Sequence, residues 1–452
     1  MIGFTSMPFA LAAFAAVVAV GPASGREVAV GVAKVDITPD GPIRLSGYLV
    51  RSGESAGVAQ RIWAKALAIG TDAEGPAVLV AVDNVGVPAA IVEELAGRLR
   101  TRAGLARDRL AVGSSHTHSA PCLSGALVNL FGKPIPADQQ ARIDAYTRSL
   151  VDKLEAVALA ALADRQAARL SRAEGTVTFA ANRRTPGGPV DHALPALKVA
   201  APDGSLRAVV VNYACHCTTI PPAENRVSGD WAGHAQELIE AAHPGAIALT
   251  LVGCGADSNP KDRAVPGIVV EHGRAIADEV GRLLLGPWQD LQGPPEVASE
   301  RLTLPFDTLP SREELGRLVA KGGPPGYNAS TLLAALDRGE PLPASLPYAV
   351  QAWKFNNDLL MVFLPGEVVV DYVLRLKREF DPARIWVTAY ANDVPCYIPS
   401  ERILREGGYE GGVAMVYYGW PTRLASGVED LIIAAVRRVA GSKFAPTAPV
   451  AP

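Results

Sequence analysis

Apolar runs bounded by turn residues alternate with helical periodicities along most of the chain. "EVAVGVAKVDIT" predicts a strand, and "RIWAKALAIG" and "PAVLVAVDN" predict two more joined by a short turn. "AAIVEELAGRLRTRAG" has helical spacing, and "RLAVGSS" reads as a strand. From Ala137 to about Leu170 the Ala- and Leu-rich pattern predicts one long amphipathic helix. Strands are expected again at "GTVTFAANRR", "PALKVAA" and "LRAVVVNYACH", then a helix near "AGHAQELIEAA", the buried-type strand "AIALTLVG" and a helix over Val269 to Leu285. Between Phe306 and Pro347 short helical pieces lie among Pro and Gly clusters, a pattern expected of a surface excursion and lid. Strands resume at "YAVQAWKFN" and "DLLMVFLPG", followed by a helix from Val368 to Phe380, a strand at "IWVTAYAND" and a last helix around Ala425 to Val439. Strands and helices alternate without strict βαβ regularity, which predicts an α/β fold of mixed β-sheets flanked by helices, one large domain over 26–442. No internal repeat is visible.

Composition narrows the class. Hydrophobic residues make up 49% of 452 and charged residues 20%, enough for a sizeable core. The net charge of -3, with no basic cluster and no aromatic ladder, argues against a nucleic-acid partner. The apolar stretch from Pro8 to Val20, followed by small residues around Ala23 and Gly25, fits a signal peptide over 1–25, although no Lys or Arg precedes it. Export to the periplasm or outside the cell is therefore expected. The Pro- and Ala-rich end, 443–452, is expected to be a disordered tail. Five cysteines, Cys122, Cys215, Cys217, Cys254 and Cys396, are an odd number, so at least one is unpaired in a monomer, and no Cys-x-x-Cys pattern exists. Small buried residues in a tight core account for them.

Four stretches can carry chemistry. In "GSSHTHSAP" two of only seven histidines, His116 and His118, stand one residue apart after an apolar run. In an extended segment both would point to one side and could serve one site, as two ligands or as a ligand and an acid–base neighbour. In "VVVNYACHCTT" a second buried-type strand ends in His216. In "LLMVFLPGEVVVDYV" Glu367 would fall at a helix start, where capping alone explains a carboxylate and metal ligation is the sharper alternative. In "YANDVPCYIPSE" Tyr397 sits in a polar turn, where packing is the ordinary role.

Taken together and in this order, these stretches resemble the neutral ceramidase family. "SHTHSAP" is similar to that family's "THTHSGP"; "VNYACHCTT" with "SGDWAGHA", "LPGE", "NDVPCYIPSE" and "GYEGG" follow in the family's sequence, and "VGVAKVDITP" resembles its start. The likeness runs from about Val30 to Gly412. It implies a catalytic domain holding one zinc through His116, His216, Glu367 and Tyr397, with His118 beside the metal in proton transfer or substrate binding. It implies a catalytic arginine in "ANRRTPG", Arg183, with Arg184 as the competing alignment, and a role for Ser258 in "GADSNP". The activity implied is hydrolysis of the N-acyl amide of ceramide or a related lipid by water that the zinc activates, with Tyr397 and Arg183 stabilising the oxyanion. The partners implied are a small-molecule or lipid amide and peripheral contact with membrane lipid; oligomeric state is left open.

The sequence also departs from the pattern. The family's larger members carry a C-terminal β-sandwich domain, which is expected to be missing here. "GADSNP" shifts the Asp and inverts Pro and Asn relative to the family's "GDVSPN", which leaves the role of Ser258 open. The alternatives are a hydrolase of a different amide or ester on the same zinc, a serine hydrolase using Ser258 without a Gly-x-Ser-x-Gly elbow, and a non-catalytic zinc-binding relative.

Overall fold

Strands that are apolar on both faces must be covered on both faces, and the architecture follows from that requirement. The structure, a computed structural model, describes residues 27–444. The expected leader lies outside the described residues. So does the expected tail except for its first two residues, and Phe444 is buried within the turn Ser442–Phe444.

A nine-stranded mixed sheet runs in the order Leu110–Ser114, Ala77–Val82, Trp63–Ile69, Val28–Asp36, Gln166–Thr176, Ala193–Ala200, Leu206–Tyr213, Ile247–Val252, with Gln289–Leu291 also pairing with Gln166–Thr176. Its neighbours are antiparallel except at the two ends, where Leu110–Ser114 and Ile247–Val252 each run parallel to the adjoining strand. A second sheet of four strands has the order Glu296–Pro305, Ser345–Phe355, Leu359–Phe363, Ile385–Thr388, the last pair parallel.

The period of two separates the cores. In Trp63–Ile69, Ala64, Ala66 and Ala68 pack with Leu95 and Leu154 from the helices Ala89–Ala103 and Ala137–Ala163. Leu67 and Ile69 point the other way and meet Trp353, Phe363 and Trp386 of the second sheet. Further along the large sheet, Val209, Val211 and Tyr213 pack against the helices Asp230–Ala242 and Ile268–Leu284. In the second sheet Leu360 and Val362 face outward onto Val373, Leu376, Ile432 and Val436 of the helices Val370–Glu379 and Val428–Ala440. The result is four layers, helices–sheet–sheet–helices. Burying one Val, Leu or Phe side chain contributes roughly 1.5–3 kcal/mol, so the doubly buried strands form a frame that can hold loops rigidly at their ends.

Several expectations are corrected. The long helix ends at Ala163, and Gln166–Thr176 is a strand that includes Leu170. Its alanines and leucine read as helical, but pairing with three neighbouring strands overrides propensity. The alternation in Glu296–Pro305 is a strand that the apolar pattern concealed, because its outward residues are charged. The excursion folds as two helices, Arg312–Lys321 and Gly323–Asp337, packed around Leu315, Ala329 and Leu332. Asn328 ties them to Asn129 and to the Trp420 carbonyl. They line no part of the cleft described below, so they are not its lid. No helix among the described residues is long and apolar enough to cross a membrane.

Candidate active site

Strand ends from both sheets converge on one point. Leu110–Ser114 delivers His116 and His118, Leu206–Tyr213 delivers His216, and Leu359–Phe363 delivers Glu367. The two histidine segments are tied by a bridge between Thr117 and Cys217 and by His118 N–H donating to Cys217 O at 3.2 Å. Glu367 pairs in register with Tyr397 in a two-stranded parallel ribbon. This corrects the capping interpretation: the helix starts at Val370, and Glu367 precedes it in the ribbon with its side chain buried. Gly366, at φ 84, makes the turn, and a Cβ there would lie 2.7 Å from Cys396 O.

His116 and His118 do share a side, but not through an extended backbone. His116 has φ 56 and Tyr390, whose ring stacks 4.2 Å from its imidazole, has φ 52. Left-handed backbone at residues with a Cβ costs about 1–3 kcal/mol each and persists where the surroundings enforce it.

The imidazoles are oriented from behind. Nδ1 of His116 lies 2.6 Å from Val85 O, and Nδ1 of His216 lies 2.9 Å from Gly255 O. Both Nδ1 atoms are therefore the protonated ones, and both Nε2 lone pairs face the centre. There Glu367 Oε2 stands 3.3 Å from His116 Nε2 and 3.2 Å from His216 Nε2, and the Tyr397 hydroxyl 3.4 Å from His216 Nε2. A four-coordinate ion held at about 2.0–2.1 Å from each ligand spaces neighbouring ligand atoms about 3.3 Å apart. Glu367 Oε2 is buried and receives no hydrogen bond, while the Tyr418 hydroxyl donates to Oε1 and fixes the carboxylate's orientation. An orphaned buried oxygen among lone pairs is what a cation satisfies. His118 Nε2 lies 3.1 Å from His116 Nε2, and the three imidazoles together form a group that could hold a metal ion.

The electrostatics agree. Burial would raise the Glu367 carboxyl, but positive charge facing it from His116 and His216, when these are protonated, holds it well below the usual range. Burial, helped by the Arg183 cation, lowers His216 to about 4, and burial with the two neighbouring imidazoles lowers His118 well below its ordinary value. A bound cation would supply the charge facing Glu367 instead, with the imidazoles neutral and the carboxylate ionised, the protonation states that bind metal.

Above the donors opens a cleft of about 690 Å³, with His118, Arg183 and Tyr397 on its floor. Arg183 donates to the Tyr397 hydroxyl at 3.0 Å and to Glu410 at 2.7 Å. Arg184 turns away to Glu410 at 2.5 Å and Glu406 at 3.1 Å. Of the two arginines, the structure brings Arg183 to the site. Ser258 is the exception among the expected residues. Its carbonyl accepts from His216 N–H at 3.0 Å, but its buried hydroxyl makes no hydrogen bond and it does not line the cleft. Its backbone carbonyl is the part that touches His216, and no base among the described residues hydrogen-bonds to its hydroxyl. All five cysteines are buried and free. Sequence reasoning missed Glu410, which clasps both arginines, and Tyr418, which orients Glu367. "GYEGG" drew notice for its likeness alone, and nothing in "VYYG" separates Tyr418 from a packing tyrosine.

A mixed α/β scaffold here gathers three imidazoles that could hold a metal ion, with a carboxylate, a phenol and an arginine beside them at a polar cleft. The chain belongs to the neutral/alkaline non-lysosomal ceramidase family: the model of that family's N-terminal region matches residues 28–264, more than half of the sequence. Among solved structures, neutral ceramidase from Pseudomonas aeruginosa superposes with a TM-score of 0.70 at 19% identity, covering 94% of this chain and 76% of that one. A ceramidase complexed with C2 gives a TM-score of 0.69 at 18% identity, covering 93% and 77%. At these identities the structures attest the fold. No curated protein sequence matches the chain.

Proposed function

We propose that this protein is a zinc-dependent amidohydrolase that cleaves the N-acyl amide bond of ceramide or a related N-acyl lipid. The observation that carries the reading is the spacing of His116 Nε2, His216 Nε2, Glu367 Oε2 and the Tyr397 hydroxyl, 3.2–3.4 Å between neighbours, under a cleft floored by His118 and Arg183. Nitrogen and carboxylate donors at this spacing suit zinc among the common metals. When bound, zinc supplies Lewis acidity toward water and the scissile carbonyl.

The chain's own groups would do the rest. Arg183 and the Tyr397 hydroxyl place donors where negative charge develops on the carbonyl oxygen. Glu410 holds Arg183 in that position. His118, neutral and set between the donors and the cleft, would take a proton from the attacking water and hand it to the leaving nitrogen. Water adds across the C–N bond, and a fatty acid and a free amine leave. The apolar stretch ahead of Arg26 supports work outside the cytoplasm.

Metal analysis of the purified protein, combined with a screen of ceramide and other N-acyl amides, tests the reading. One zinc per chain and turnover that disappears on chelation are expected. Undiminished turnover in exhaustively chelated protein would reject it.

A further inference from the structure

The cleft has two unlike walls. On one, Arg183 and Arg184 both face carboxylates, sharing Glu410, with Glu406 also on Arg184. The other wall is formed by Thr218, Asn259 and Arg263. Arg263 donates Nε–H to Thr218 O at 2.7 Å, and no carboxylate among the described residues pairs with it. Its neighbour Asp262 does not line the cleft. Asn259 Oδ1 accepts from the Thr218 hydroxyl at 3.3 Å, which leaves its Nδ2 without an acceptor among the described residues. Tyr48 links this wall to the reacting centre. Its ring lies 4.9 Å from that of His118, its hydroxyl is spent on Ile220 O at 2.8 Å, and the Arg263 guanidinium is close enough to act on its phenol.

Arg263 is exposed, held at Nε by Thr218 O and hydrogen-bonded to the Tyr48 phenol; its remaining terminal N–H groups can still meet the two oxygens of a carboxylate. A free amide N–H beside it adds a further donor. This wall offers donors and positive charge, and no acidic residue of it lines the cleft; the buried Asp230 carboxylate lies behind it, near Tyr48. His118 is the group that would hand a proton to the leaving nitrogen, so the amine half of the substrate lies on the His118 side, toward Tyr48 and Arg263.

We propose that this cleft selects N-acyl amides whose amine half carries a carboxylate, held by Arg263 and Asn259 on the Tyr48 side of the cleft. The proposal rests on the amidohydrolase reading above and names its substrate class. An N-acyl amino acid has this chemistry.

The test uses a matched pair with one acyl chain, N-dodecanoyl-glycine and N-dodecanoyl-ethanolamine, on the zinc-loaded full chain. A charge-assisted hydrogen bond contributes about 1.5–3 kcal/mol, a factor of roughly 10–100 in kcat/KM. The wild type is expected to favour the carboxylate amide by that order. Arg263→Gln should reduce the ratio of the two kcat/KM values about tenfold or more, Arg263→Glu should invert it, and Arg263→Lys should restore part of it. The change should fall on KM for the glycine amide, with the ethanolamine amide as internal reference. If both amides turn over and their ratio ignores the charge at 263, the Arg263 assignment is overturned while the hydrolase reading stands. If the wild type cleaves no N-acyl amide at all, the hydrolase reading fails and takes this proposal with it.

Discussion

The two halves of the chain contribute opposite chemistry to one site. The half inside the family match, 28–264, supplies nitrogen: His116, His118, His216 and Arg183. The half beyond it supplies oxygen: Glu367 and Tyr397 among the donors, Glu410 behind Arg183 and Tyr418 behind Glu367. The first half is built on the large sheet and the second on the smaller one, and the two sheets pack face to face. Neither half holds a complete donor set. The shared core between the sheets therefore sets the 3.2–3.4 Å spacing of nitrogen to oxygen, and packing faults there should reach the site without touching it.

The largest break in this arrangement is removal of a nitrogen ligand. His116→Ala or His216→Ala should lose the metal and nearly all hydrolysis, because on the proposed reading a bound metal would activate the water. Glu367→Ala should do the same from the other half. Elemental analysis reads the metal directly, and full zinc in either histidine variant would undo the ligand assignment. His118→Ala tests whether all the nitrogens are equivalent. It should keep most of the metal and lose about 10²–10⁴ in rate, the usual contribution of general acid–base help. A metal-free His118→Ala protein would move His118 into the ligand set, to which its 3.1 Å approach to His116 brings it close.

Tyr397→Phe probes an oxygen of the second half. The Phe ring keeps the volume, and His116, His216 and Glu367 remain as three ligands. The expected protein is folded and metal-loaded, with turnover lowered about 10²–10³, as for loss of one oxyanion donor. Wild-type turnover would return Tyr397 to a packing role.

The same division shows what was legible in the sequence. Strands buried on both faces print as unbroken apolar runs, so "AVLVAV" and "LLMVF" were readable. The histidines that follow "LAVGS" and "LRAVVVNY" stood out because the chain has only seven. Glu367 was readable as a residue but not as a geometry, since a carboxylate before a helix reads first as a cap, and only the pairing with Tyr397 turns it inward. The segment from Gln166 to Leu170 was misread because its Ala and Leu content favours a helix until neighbouring strands compete for its backbone. Glu410 and Arg183, 227 positions apart, leave no local pattern at all. Polar contacts across such distances are set by tertiary packing, which hydrophobic periodicity does not encode.

The smallest expected effect concerns the clasp between the halves. Asp257, fully buried in the first half, accepts Val370 N–H of the second half at 2.9 Å and Asn182 Nδ2 at 3.1 Å. Burial pushes its carboxyl up to about 6 from an ordinary 3.8, against the hydrogen bonds that lower it. The sign follows from proton counting. Between pH 6 and pH 4 the folded chain holds this proton and the unfolded chain does not, so this group's contribution to stability rises as the pH falls through that window. It is flat above about 6, where both states are ionised, and flat again below the unfolded value. Asparagine at 257 cannot titrate. Denaturant unfolding of the wild type and Asp257→Asn at pH 7.5 and pH 4 should therefore show the wild type gaining on the variant by about 1–2 kcal/mol at the lower pH, within the roughly 1.4 kcal/mol per unit that such a shift allows. A stability difference that does not move with pH would mean that the carboxylate is solvated or differently paired, and that the clasp between nitrogen half and oxygen half is made elsewhere.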